Sequence, residues 1–332
     1  MRIRYEEMQQ EFQRVLRKYG LNDERAARCA TIFAENSLVG VASHGLNRFP
    51  GLIEFIQKGY VNPQAEAMKV AGSGAWEQWD GQQGVGPLNA YSCTERAMTL
   101  AREHGVGCVG LRNTNHWMRG GYYGWQAAEA GFALISWTNT KPNMPAWGGV
   151  DRHVGNNPLV LAVPRSDGPV VLDMAMSQFS IGRMEGAHRA GQFLPSPGGY
   201  DEAGELTTDP SAILRTNRVL PAGYWKGSGL AILLDLVAVL LAGGLATYQI
   251  GQQVTEYGVS QIFIAFDVAR TSSAAVVNQA VEGVIADLHA SVPVKAGGAV
   301  LYPGERALQT RHENLAQGIP VEPAIWERVR AL

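Results

Sequence analysis

Gly105-Val106-Gly107-Cys108-Val109-Gly110, read as G-V-G-C-V-G, carries the spacing G-x-G-x-x-G, and its place in the chain decides the fold. A dinucleotide phosphate loop needs a strand before that pattern and a helix N-terminus after it, so that free amides meet a pyrophosphate. Here the order is reversed. Pro87 to Glu103 follows a helical pattern, and the β-branched run Val106 to Leu111 passes through the glycines. The segment therefore predicts a helix-to-strand turn. No Walker-type loop occurs elsewhere, so any dinucleotide this chain holds is held without the usual fingerprint.

Working outward, short strand patterns recur at Phe132 to Thr138, Leu159 to Val163, Val170 to Met174 and Ile262 to Val268. Helical patterns alternate with them at Tyr122 to Ala130, Gln178 to Ala190, Lys226 to Leu241 and Ala274 to His289. Gly191 to Pro210, rich in proline and glycine, predicts a long surface loop. The first third differs. Tyr5, Met8, Phe12, Val15, Leu16 and Tyr19 recur at helical steps and stop at Gly20; a second helix opens at Asn22 and Asp23, and a third runs from about Leu46 to Lys58 and Gly59. Two further helices start near Gly304 and Pro323. The expected fold class is α/β (α+β): a helical N-terminal segment, 1–68, completed by helices of 304–332, and a mixed α/β domain over 69–303.

Gly229 to Ala246, G-L-A-I-L-L-D-L-V-A-V-L-L-A-G-G-L-A, approaches the length of a membrane span, about 20 residues. Asp235 in its middle is costly at bilayer depth, so the segment predicts a helix buried on all sides, at a domain centre or a subunit interface. Basic and acidic residues number 28 and 30, a net charge of −2, which offers no field for nucleic acid and no polybasic membrane patch. Cys29, Cys93 and Cys108 form no C-x-x-C pair, so neither a disulfide framework nor a thiolate zinc site is expected, and a reducing cytoplasm is the simplest setting. The charged start M-R-I-R-Y-E-E predicts no targeting segment.

Polar chemistry gathers in four places. V-A-S-H-G-L-N-R-F-P, Val41 to Pro50, sets Ser43, His44, Asn47 and Arg48 at a junction of two helices, where an imidazole can exchange a proton near neutral pH and a guanidinium can fork onto a carboxylate. A helix start with Ser43 as N-cap is the plainer reading. L-R-N-T-N-H-W-M-R-G-G, Leu111 to Gly121, leaves a strand end and offers Asn115, His116 and Arg119 to a ligand crevice. Neither histidine has a partner at metal-ligand spacing, so no metal is expected. Gly223 to Gly229, G-Y-W-K-G-S-G, begins the apolar helix with Trp225 and Lys226 available to a ring or a phosphate, and Val170 to Ser177, V-V-L-D-M-A-M-S, ends a strand with Asp173, either a ribose ligand or a helix cap.

These segments, with T-E-Y-G-V-S-Q-I-F-I-A at Thr255 to Ala265, resemble the type-2 malate/L-lactate dehydrogenase family over essentially the whole chain. The resemblance implies an oxidoreductase using NADH or NADPH, with a non-Rossmann cofactor fold, a homodimeric assembly, and a keto acid substrate, most closely a 2-keto sugar acid. Malate, lactate, a ureidoglycolate or a cyclic imino acid remain alternatives. By matching motif, it implies His44 as proton donor or acceptor, Ser43, Asn47, Arg48 and Asn115 beside the substrate, and His116 as a second polar partner of the reacting group. Cofactor contacts would fall on Val170, Val171, Leu172, Asp173, Met174, Ala175, Trp225, Lys226, Gly304, Glu305 and Arg306. Two departures stand out: G-N-N-P at Gly155 to Pro158 where G-T-N-P is usual, and Glu305 where the likeness favours histidine.

Overall fold

Amphipathic spacing builds the first helices of the computed structural model, which describes residues 1–271 and 273–332. Tyr5–Lys18 (α1) buries Met8, Phe12, Val15 and Leu16, with Glu6 and Glu7 in its first turn and Arg17 and Lys18 in its last, an order that suits the helix dipole. Asp23–Leu38 (α2) starts at Asn22, whose side chain accepts from Arg25 N. The third helix, Phe49–Gln57 (α3), begins later than its pattern suggests because a 3₁₀ turn over Ala42–His44 comes first. Phe12 stacks on Phe49 at 4.2 Å, Phe33 meets Phe49 edge-on at 5.2 Å, and the same core takes in Ile319, Trp326 and Val329 from the end of the chain.

The centre is a seven-stranded sheet. Its strands are Met68–Ser73 (β1), Trp76–Asp80 (β2), Val106–Thr114 (β3), Phe132–Thr138 (β4), Leu159–Val163 (β5), Val170–Met174 (β6) and Val259–Asp267 (β7), in the order β1-β2-β3-β7-β4-β5-β6. Every neighbouring pair is antiparallel except β2 with β3. A Rossmann sheet is parallel throughout its nucleotide-binding half, so this mixed sheet is a different solution. The hairpin β1–β2 was not expected from sequence, since every β1 residue is exposed and no period-two pattern marks it.

Gly86–His104 (α4), Gly121–Glu129 (α5) and Trp225–Ala242 (α8) pack on the sheet; the remaining helices are Ile181–Arg189 (α6), Pro210–Thr216 (α7), Thr247–Ile250 (α9), Ala274–His289 (α10), Glu305–Gln317 (α11) and Pro323–Ala331 (α12), the last two lying against the N-terminal helices. The glycines of the opening motif are explained by this packing. Gly105 closes α4 at φ 87°, a Cβ on Gly107 would lie 2.1 Å from Ala97 O of α4, and one on Gly110 would lie 2.6 Å from Leu241 O of α8. Two helices press on opposite faces of β3, and only glycine lets them.

Two expectations are corrected here. The stretch Gly191 to Pro210 is not all loop: Gly199–Tyr200 pairs with Leu206–Thr207, and α7 starts at Pro210. The turn is shaped by Asp201, which accepts from Ala203 N and Glu205 N. The apolar helix α8 is not buried on all sides within the chain. Its small residues Gly227, Ser228, Ala231, Ala238 and Ala242 face inward with Leu234, while Leu233, Leu236 and Leu240 are 54%, 52% and 76% exposed. Asp235 is accounted for: its carboxylate accepts from Asn139 Nδ2 at 2.8 Å and from Thr247 N at 3.0 Å, capping α9.

Candidate active site

His44 is placed by the C-terminal end of α2. Asn36 Nδ2 donates to His44 O at 3.1 Å, and Ser37 Oγ accepts from Leu46 N at 2.8 Å. Gly45 is obligatory, since a Cβ there would stand 2.2 Å from Ser37 Oγ. Buried Asn36 and Ser37 thus hold the turn from below, and neither was singled out in the sequence. Ser43 is no N-cap. Its Oγ lies 3.0 Å from His44 Nδ1, which orients the ring and leaves Nε2 without a partner among the described residues.

His116 sits on the loop leaving β3. Trp117, buried against Tyr123 and Phe263, anchors the loop, and Tyr123 Oη donates to Trp117 O at 2.6 Å. Met118 takes a left-handed φ of 66°, a strained choice for a methionine, and its N–H donates to His116 Nδ1 at 2.9 Å. That bond makes Nδ1 an acceptor, so the neutral ring carries its proton on Nε2. Asn115 does the structural part: its Nδ2 donates to Gln83 O and Gly84 O at 2.9 and 3.0 Å, and Gln261 Nε2 donates to its carbonyl. The amide nitrogen is therefore committed to backbone, and Oδ1 is buried without a partner among the described residues.

The two imidazoles meet with ring centroids 5.7 Å apart, tilted by 30°. Their acidities differ. Burial drives the His116 pKa well below its ordinary 6.5, with the cations Arg48 and His44 adding to it. Burial lowers His44 as well, with Arg48 and Arg119 acting in the same sense and Asp173 opposing them. Both shifts favour the neutral ring, and the stronger one is at His116.

Arg48 and Asn47 are exposed beside them, and the Arg48 guanidinium has no ion pair among the described residues. Asp173 does not cap the helix that follows it but the earlier α5. Its carboxylate accepts from Gly121 N at 2.7 Å, capping α5, and lies 3.9 Å from Arg119 Nε. Two groups were missed. Burial raises the Glu256 carboxyl, which accepts from Lys141 N at 3.0 Å and feels Arg48. Glu256 stands in the segment Thr255 to Ala265 that carries the resemblance but was not marked there as a site residue, and Lys141 lies in no motif; only folding brings them together.

The segments expected to hold a cofactor converge. Val171 N of β6 donates to Pro303 O at 3.0 Å, and a Cβ on Gly304 would stand 3.0 Å from Val171 O, so Val170 to Ala175 and Gly304 to Arg306 are in contact. Past β6, Met176 O accepts from Ala222 N at 2.8 Å, which leads to Trp225 and Lys226 at the start of α8. Trp225 is 65% exposed with the Lys226 ammonium 6.0 Å from its ring centroid. β6 is an edge strand whose outer side meets Pro303 and Gly304 at Val171. A sheet edge, a close-approach glycine, an exposed indole and a lysine form a surface that fits a dinucleotide. Glu305, the first residue of α11, is turned to the end of α10 and the segment before its own helix, lying 3.0 Å from His289 Nε2 and accepting from Tyr302 N at 3.1 Å. Asn156, the other departure, accepts from Asn143 Nδ2 at 2.7 Å and Thr140 Oγ1 at 3.2 Å.

Comparison with known proteins fits this arrangement. The profile of the malate/L-lactate dehydrogenase family matches residues 3–330. A 2,3-diketo-L-gulonate reductase of Citrobacter koseri is 42% identical over 334 residues, covering 100% of both chains. Among solved structures, the sulfolactate dehydrogenase of Methanocaldococcus jannaschii superposes with a TM-score of 0.91 at 28% identity, over 99% of this chain and 95% of its own. The malate dehydrogenase of Pyrococcus horikoshii OT3 gives 0.89 at 27% identity, over 99% and 93%.

Proposed function

This chain belongs to the malate/L-lactate dehydrogenase family and is an oxidoreductase served by a nicotinamide cofactor, and from that premise we propose that it reduces 2,3-diketo-L-gulonate to 3-keto-L-gulonate. One observation carries the chemistry: two imidazoles, His116 held neutral more strongly than His44, stand 5.7 Å apart within the field of the Arg48 guanidinium. The full-length 42% identity to diketogulonate reductases supports the substrate. NADH is preferred to NADPH in this reading. Burial pushes the Glu305 carboxyl up, but His289 and the Tyr302 amide outweigh it and hold it below its ordinary range, so a negative charge stands in a proposed cofactor segment and disfavours a further phosphate.

Carbonyl reduction needs a hydride on carbon and a proton on oxygen. A bound reduced nicotinamide supplies the hydride, held by Val170 to Ala175, Trp225, Lys226 and Gly304 to Arg306. Arg48 forks onto the substrate carboxylate and fixes which face of the ketone is presented. His116 donates its Nε2–H to the oxygen as negative charge grows, and keeps that proton because its second nitrogen is tied to Met118 N. His44 delivers the proton from Nε2, a role worth about 10²–10⁴ in rate. Asp173, whose charge favours the His44 imidazolium, helps hold the proton until it is needed.

The exposed leucine face of α8 supports a homodimer in which that face is covered, and a cytoplasmic setting accords with three free cysteines. A second reading keeps the site and changes the substrate. It is favoured by Asn156, whose carbonyl oxygen gathers Asn143 and Thr140 into a network at a position where a threonine is usual. The deciding assay follows NADH oxidation by absorbance with 2,3-diketo-L-gulonate, a simple 2-keto acid and a cyclic imino acid in parallel. Turnover of the diketo acid alone bears out the first reading; turnover of another substrate alone replaces it with the second.

A further inference from the structure

A second cleft is lined by residues other than the paired histidines. A cavity of about 400 Å³ opens among α2, α4, α5 and α11, and neither His44, His116, Arg48 nor Asp173 lines it. Arg119 does. This side chain is only 8% exposed, yet it donates no hydrogen bond to any described residue, and its nearest ion-pair partner, Asp173, is at 3.9 Å. A guanidinium has five N–H donors, and burying one without partners is costly unless something else satisfies it. At the rim, Arg28 is held in place by Tyr91, donating to its hydroxyl at 2.7 Å and stacking on its ring at 4.2 Å, and has no ion pair among the described residues.

The rest of the wall tells what kind of anion fits. Glu35 is neutralised by Arg311, both contacts at 3.3 Å, while Glu95, one oxygen of which accepts from Gln126 Nε2 at 3.1 Å, and Glu129 line the cleft together with Tyr122 and Trp125. A phosphate dianion would be repelled by such a wall. Hydroxyl groups would be accepted by it, and the C–H face of a polyol packs on aromatic rings. We propose that this cleft binds a small hydroxylated carboxylate, of the sugar-acid class, with its carboxylate on Arg119 and Arg28 and its hydroxyls on Glu95 and Glu129.

The test is calorimetric titration of D-gluconate into the full chain without cofactor, using wild type, Arg48→Ala, Arg28→Gln and Arg119→Gln, with inorganic phosphate as a parallel ligand. Gluconate should bind wild type and Arg48→Ala alike, and roughly tenfold or more weaker to both cleft variants. Arg28 is exposed at the rim, so Arg28→Gln decides the matter if Arg119→Gln does not fold. Absence of binding to wild type, loss of binding in Arg48→Ala with retention in the cleft variants, or phosphate binding as tightly as gluconate would each overturn the proposal. Turnover plays no part in these measurements, so a mistaken choice of substrate in the proposed reaction leaves their outcome unchanged.

Discussion

The turn that carries His44 and the loop that carries His116 bring the same side chain to the same place by opposite means. The first is held from behind by Asn36 and Ser37, through backbone groups, and leaves the imidazole ring tied only to Ser43. The second is held through the ring itself, with Met118 N–H on Nδ1, and by Asn115 and Trp117 on either side. A proton donor has to gain and lose charge at small cost, whereas a hydrogen-bond donor does best when it cannot. Anchoring fixes how each ring is oriented, while burial and the neighbouring charges set its acidity, lowering His116 further than His44.

The sharpest way to break this comparison is to delete each ring. His44→Ala should lower kcat by about 10³ while NADH affinity, read by fluorescence titration, stays unchanged. His116→Ala should cost about 10² in kcat, the effect of losing one oriented donor to a developing oxyanion. If the two losses exchange places, the acid is His116 and the anchoring argument fails.

Arg48→Ala sharpens the comparison from outside. Loss of a bidentate, charge-assisted contact should raise KM by about 10²-fold, with a smaller fall in kcat. A kcat loss equal to the KM change would mean that Arg48 acts only in the transition state. The smallest effect is one of pH. Reduction needs protonated His44, so kcat/KM should be level at low pH and fall as pH rises through the His44 pKa, which burial, Arg48 and Arg119 place below 6.5. A carboxylate bound to Arg48 offsets one of those cations, so the midpoint in kcat should lie higher than in kcat/KM. For the same reason Arg48→Ala should move the kcat/KM midpoint upward. A midpoint that ignores Arg48 would separate the guanidinium from the acid. His116 should contribute no midpoint at all in the range near neutrality.

Much of the fold was legible in local pattern. β4, β5, β6 and α10 have the bounds their patterns predict, because each has a regular apolar period and clear breakers at its ends. β1 was invisible because it is exposed on both sides, and α7 because a seven-residue helix inside a proline- and glycine-rich stretch offers too few turns for a period. α8 misled in a different way. Its apolar surface signals burial but not by what, and the chain itself covers only the small-residue face.

The candidate site divides along the same line. Ser43, His44, Arg48 and His116 stood out in the sequence because reactive side chains were crowded into short polar runs between apolar elements. Asn36, Ser37, Glu256 and Lys141 did not, since each acts on a residue that is near only after folding. Sequence alone determined which chemistry was available and, through the misplaced glycines of Gly105 to Gly110, that a Rossmann loop was absent. Tertiary structure decided which histidine is the more strongly held in its neutral form. That choice depends on burial, on the amide that meets Nδ1 and on the charges of Arg48, Arg119 and Asp173, and none of these is a property of local sequence.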